Sequence, residues 1–195
     1  MRKTSFDIQH CTYCGAATDY QVPAGDSRLR AVCSQCHKIH YQNPHVVVGA
    51  VVHYNDCFVL CRRAIEPRHG YWTIPAGYLE LEETTEAGAL REAYEEAQTE
   101  LEIDRLLAIY NLAHLSQVQV LYLARLKGDH FSPGPESLEV ACFSWEEIPW
   151  DDLAFPSVRW ALVHARRQLR GETLLPETRS ESLVLDPQLL PKDMR

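Results

Sequence analysis

Two groups of side chains in this 195-residue chain are spaced so that they could do chemistry. The first is Cys11-x2-Cys14 followed, after 18 residues, by Cys33-x2-Cys36. Each CxxC makes a tight turn that points two thiolates at one ion. Two such pairs at this interval supply the tetrahedral sulfur shell that Zn2+ prefers. Four thiolates leave no open position, so the expected zinc is structural. A redox CxxC or a chance pair accounts for one of them but poorly for both. His37 and His40 could ligate, but four cysteines already close the shell. The second group is Glu92, Glu95 and Glu96. At i, i+3 and i+4 of a helix they share a face, and such crowding destabilises unless a hard divalent cation sits among the oxygens. The competing reading is an ordinary solvated acidic face. Arg91, the lone base nearby, is expected to point away from these three acids and to pair with Glu83, just ahead of the helix.

These groups need elements to hold them. From about Thr84 to Ala97 the residues are good helix formers, with Thr84 or Thr85 as N-cap and Ala87, Leu90, Ala93 and Tyr94 as the expected buried face. Apolar Val46–Val52 reads as a strand, turned at Asn55-Asp56 into Cys57–Cys61. Trp72–Pro75, Leu101–Leu115, Gln117–Lys127 and Val140–Trp145 read as further extended pieces, the last being the final strand. Ser157–Arg170 is an amphipathic helix with Val158, Ala161, Leu162 and Ala165 inward and Arg166, Arg167 and Arg170 outward. Cys57, Cys61 and Cys142 fall in apolar strand patterns and read as small hydrophobes. The expected fold class is α+β, an α/β/α sandwich behind a small metal-stapled module. The expected domains are the ribbon at 8–42, the main domain at 43–170 and an unassigned tail at 171–195.

Composition supports one soluble domain plus an appendage, with 46% apolar and 24% charged residues. The net charge is −8, and the excess is local: nine glutamates and one base lie between Glu80 and Glu102. The remainder is close to neutral, so a basic nucleic-acid-binding surface is not expected. The first residues show no apolar leader, and no apolar run approaches the ~18 residues of a membrane span. A cytoplasmic protein without a membrane partner is expected, and seven cysteines in a reducing compartment favour metal over disulfides.

Gly77, five residues, Glu83, seven residues, then Arg91-Glu92-Ala93-Tyr94-Glu95-Glu96 resembles the Nudix box, G-x5-E-x7-R-E-U-x-E-E-x-G-U. Ala93 is small for the bulky aliphatic, and Gln98 replaces a glycine. That glycine typically ends the helix with left-handed backbone, where another residue costs about 1 kcal/mol. The cysteine module leading through Tyr41-Gln42-Asn43-Pro44 into the first strand resembles the zinc-ribbon Nudix hydrolases. Leu60–Arg63, Gly70–Glu80 and Pro133–Glu139 resemble the branch of plant FAD and ADP-ribose pyrophosphatases and their bacterial relatives. The likeness covers about residues 10 to 165.

The resemblance implies hydrolysis of a nucleoside diphosphate linked to another group, FAD (to FMN and AMP) or ADP-ribose first and NADH next. It implies Mg2+, or Mn2+, on Glu92, Glu95 and Glu96, with Glu83 and Arg91 bracing the loop after Gly77. A glutamate on a late loop, Glu139 or Glu136, is then the expected general base. Arg62, Arg63 and Arg68 are candidates to clamp phosphate. Tyr71 or Trp72 could stack on adenine or flavin, with core packing the alternative for each. The ribbon is expected to help form a homodimer. The competing function is a non-catalytic nucleotide sensor whose ribbon binds a partner.

Overall fold

The computed structural model describes residues 8–172 and 175–180. The chain divides into two compact units, Met1–Asn43 and Pro44–Arg195. In the first, β1 (Thr18–Gln21), β2 (Arg30–Cys33) and β3 (Ile39–His40) form an antiparallel sheet in that order. Its buried apolar residues are Cys11, Ala31, Val32 and Cys33. So small a core cannot offset the entropy of ordering the segment, which is why such modules need a metal.

The second unit is built on one mixed sheet. Its strands are β4 (His45–Tyr54), β5 (Cys57–Arg63), β6 (Trp72–Thr73), β7 (Ala76–Tyr78), β8 (Leu101–Leu112), β9 (Gln117–Leu126), β10 (Ser137–Ser144) and β11 (Glu177–Ser180). The order is β10-β5-β4-β9-β8-β11, with β6 on β5 and β7 on β4. β4 runs parallel to β9, and β11 parallel to β8. The β4–β5 hairpin turns at Asn55, whose left-handed backbone asparagine tolerates well. β11 lies in the tail that the sequence left unassigned, so Val140–Trp145 is not the final strand. Residues 181–195 lie outside the described residues.

Helices α1 (Thr85–Ala97) and α2 (Pro156–Leu169) cover opposite faces of the sheet, giving the expected α/β/α sandwich. β4 sends alternate residues to each side. Ala50 and Val52 join Val59, Ala93, Leu101, Ala124 and Leu126 under α1. Val51 joins an aromatic-rich cluster with Phe58, Trp72, Tyr110, Trp160 and Leu162 under α2. Tyr110 and Trp160 meet edge to face at 5.3 Å. Arg166 departs from its expected outward position and lies half-buried over the Trp145 ring at 4.3 Å. Cys61 is buried as expected, whereas Cys57 and Cys142 are only half-buried. Among the described residues, no helix is long and apolar enough to cross a membrane.

The inward stripe of α1 differs from the one expected. Gly88, Ala89, Glu92, Ala93, Glu96 and Ala97 are buried, while Ala87, Leu90 and Tyr94 are exposed. The stripe is two adjacent i, i+4, i+8 rows, and one of them carries two glutamates. Ala93 is buried as expected, but the rest of the hydrophobic stripe is misplaced because two acids occupy positions that packing would otherwise give to leucine.

Candidate active site

α1 is held at both ends. Thr84 caps it by accepting the Ala87 N–H at 3.1 Å. Gln98 ends it with left-handed backbone, φ 47°, as a glycine would. Its own backbone N–H and its side-chain amide both donate to the Tyr94 carbonyl, at 2.9 and 2.8 Å. The side chain therefore returns part of what the backbone conformation costs.

Arg91 is the hub of the box. Its Nε and Nη2 donate to the Glu83 carboxylate at 3.1 and 2.7 Å, and Nη2 also to the Tyr78 carbonyl at 3.0 Å. Its Nη1 donates to Glu92 at 2.6 Å and to Glu95 at 2.9 Å. The expected pairing with Glu83 is present, but Arg91 does not point away from the other acids. A five-donor guanidinium can serve both sides at once, and negative charge on three sides draws it in. Arg91 keeps Glu83 well below the usual carboxylate range, aided by the Glu80 N–H at 2.7 Å. Glu95 stays at the surface, with its side chain 55% exposed.

Glu92 and Glu96 lie deeper. Burial pushes the Glu92 carboxyl up, against the opposing pull of Arg91, and the charges of Glu95 and Glu136 add to the rise. Glu96 accepts one hydrogen bond from the Ala76 N–H at 3.1 Å. Burial pushes it up to about 8, with Glu92 and Glu136 adding and Arg63 opposing. Gly77 passes directly over Glu92, so that a Cβ there would overlap the carboxylate. The box glycine thus makes room for the Glu92 carboxylate where it lies, and has no positive φ. Among the described residues, the set of four cysteines has its ligand atoms mutually within 4.8 Å, and the three glutamates do not form such a set.

The remaining candidates fall into distinct places. Glu136 is exposed, and its charge reaches both Glu92 and Glu96. Glu139 is paired with Arg62 at 3.6 Å. Arg62 also donates from Nε to the Gly70 carbonyl at 3.0 Å, and Arg63 from Nε to the Pro67 carbonyl at 2.8 Å, so both strap the loop between β5 and β6. Arg63 further lies over the Phe155 ring, and exposed Arg68 over Tyr71, each at 5.3 Å. Trp72 is not available for stacking: it is buried edge to face on Phe143 at 4.9 Å. A large ring in a strand beside the core packs inward. Ala76 and Gly134 also shape the site through backbone donors, for which a residue pattern carries little signal.

In the ribbon, the sulfurs of Cys11 and Cys36 are 3.7 Å apart and those of Cys14 and Cys33 3.5 Å. Each CxxC is followed by a left-handed residue, Gly15 or His37, whose N–H returns to the first cysteine's carbonyl. N–H groups of Cys36 and Gln35 point at the Cys33 sulfur at 3.3 and 3.4 Å, and with them the thiol is held down at about 6. Four thiolates so gathered suit Zn2+. His37 and His40 are not members of the set.

Comparison with known proteins agrees with both units. Residues 9–42 match the Nudix N-terminal zinc-ribbon family, and residues 43–164 match the NUDIX domain family. A solved NUDIX hydrolase from Nitrosomonas europaea superposes with a TM-score of 0.84 at 41% identity, covering 89% of this chain and all of that one. A MutT-like protein from Streptomyces ambofaciens is 32% identical over 123 residues, 63% of this chain and 73% of that protein. An ADP-ribose pyrophosphatase from Methanocaldococcus jannaschii is 23% identical over 56% of this chain and 67% of its own length. An NAD-capped RNA hydrolase from Photorhabdus laumondii is 26% identical over 72% of this chain, which spans only 53% of that protein. The box glutamates and arginine on the helix of an α/β/α sandwich, and two family matches that meet end to end, place this chain in the zinc-ribbon Nudix hydrolase family.

Proposed function

We propose that this chain hydrolyses the diphosphate of an adenine dinucleotide or ADP-sugar with the help of Mg2+ or Mn2+. One observation carries the reading. Glu92 and Glu96 are buried on one helix face with the charge of Glu136 upon them, an arrangement unfavourable unless a cation is drawn in. The donors are all carboxylate oxygens, which fit a hard cation, so Glu92, Glu95 and Glu96 would hold it. When bound, the ion would neutralise the diphosphate, acidify a water and steady the leaving phosphate.

The protein groups do the rest. Of the two base candidates, Glu136 is favoured, because its charge reaches the buried acids whereas Glu139 is ion-paired with Arg62. Glu136 takes the proton of the attacking water; the new P–O bond forms as the bridging P–O bond breaks, leaving two phosphate monoesters. Glu83 and Arg91 brace the loop after Gly77. Arg62, Arg63 and Arg68 bind phosphate, and Tyr71, beside Arg68, stacks on the base. The names of relatives favour ADP-ribose and NAD-type substrates, and the Pro133–Glu139 resemblance adds FAD. The ribbon holds zinc and joins two copies into a dimer in the cytoplasm.

The test is a panel of ADP-ribose, NADH and FAD with Mg2+ or Mn2+, products separated by chromatography. Glu95→Gln should lose turnover with circular dichroism unchanged; full activity in that variant would overturn the reading. Cation-dependent binding without product would instead indicate a sensor.

A further inference from the structure

The segment that carries Glu136 is joined to the catalytic helix itself. In Ser132-Pro133-Gly134-Pro135 the two prolines have no N–H, so the backbone donors are Ser132 and Gly134. Both are spent on α1: Ser132 N–H donates to the Ala97 carbonyl at 2.9 Å, and Gly134 N–H to the Glu96 carbonyl at 3.1 Å. These carbonyls belong to the last turn of the helix, where they have no N–H donor within the helix itself. Upstream, the Thr99 hydroxyl donates to the His130 carbonyl at 2.9 Å. Downstream, the Ser137 N–H returns to the Gly134 carbonyl at 3.0 Å, and the Ala64 N–H to the Glu136 carbonyl at 2.8 Å.

The contact is close because residue 134 has no side chain. A Cβ there would overlap the Glu95 carbonyl oxygen and lie 2.8 Å from its carbon. Gly134 does not have a positive φ, so its need for glycine is one of space. The partner is helix backbone, which cannot swing aside as a side-chain tip would.

We propose that Gly134 is a positioning residue: it sets the distance between α1 and the loop, and so holds Glu136 opposite Glu92 and Glu96 before substrate arrives. The inference rests on the reading of Glu136 as the base. The Pro-Gly-Pro stretch is on this view a clasp on the helix end, rather than a lid that folds over the nucleotide. Alanine at 134 forces the loop outward by an ångström or more, and a misplacement of that size costs on the order of 10–100-fold in rate.

The experiment is a double-mutant cycle of Gly134→Ala and Glu136→Gln, with ADP-ribose, NADH or FAD, whichever is turned over, and saturating Mg2+. If the inference holds, Gly134→Ala lowers kcat at least tenfold and changes KM less than about threefold. In the Glu136→Gln background it adds little, because the group it displaces is already disabled. A normal kcat in Gly134→Ala beside an impaired Glu136→Gln overturns the positioning role alone, as does full additivity. An unimpaired Glu136→Gln overturns the base assignment and this inference with it. Hydrogen exchange on the unmutated protein decides the case should Gly134→Ala not fold. The Ser132 and Gly134 amides should be protected to the same degree as the last turn of α1, and free exchange there refutes the clasp.

Discussion

Glu96→Gln should flatten the pH dependence of stability in protein to which no Mg2+ or Mn2+ has been added. Glu96 is 6% exposed, meets one backbone donor, and is pushed from its ordinary 4.5 to about 8. A carboxyl raised in the folded state keeps its proton where the unfolded chain has released it. Stability is therefore full below about 4.5 and is lost as the pH climbs towards about 8. By pH 7 that loss is roughly 3 kcal/mol, from 1.36 kcal/mol per unit of pH across the window. For a domain of this size the equivalent change in Tm is about 6–12 °C. Glutamine has no such titration, and whatever it costs or gains in packing is the same at every pH. The assay is thermal unfolding by circular dichroism from pH 4.5 to 8 with the ribbon loaded with zinc. The wild-type Tm should fall across that range relative to the variant, and added Mg2+ should raise the wild type more. Parallel Tm–pH curves for the two proteins would refute the claim that this carboxylate is held out of water at a cost.

Two further outcomes are expected. Removing zinc by chelation, or by Cys14→Ser with Cys36→Ser, should unfold residues 8–42 and convert a dimer to a monomer in light scattering; an unchanged dimer mass refutes the assembly role. Gln98→Gly should relieve about 1 kcal/mol of left-handed strain while losing the side-chain bond to Tyr94. The net gain is a few tenths of a kcal/mol, read as a Tm rise of about 1–2 °C, and a fall would show that the side chain does more than the backbone loses.

The zinc set was legible because two CxxC pairs leave a metal almost no alternative geometry, and the box because its spacing is a helical period with charges on it. The inward stripe of α1 was not legible. Glu92 and Glu96 look like surface residues to any hydrophobicity argument, yet they share a buried face with Ala93 and Ala97. Trp72 was ambiguous for the opposite reason, since an aromatic beside a cleft and one beside a core look alike in sequence; Phe143 across the sheet decides it. Glu139 differs from Glu136 in facing Arg62 across the pairing of β10 with β5 and being ion-paired with it, which no residue pattern announces. β11 was missed because its partner, β8, is distant in sequence and the stretch around it is polar.

The two sides of the sheet are unequally filled. Lifting α2 would wet Trp160 and break its edge-to-face meeting with Tyr110, whereas lifting α1 would wet alanines, valines and leucines without a large ring, and two acids that gain from hydration. The free energy of local opening is therefore lower on the α1 side. Breathing on that side takes place above a floor that stays put, so motion of the acidic helix need not cost the molecule its shape.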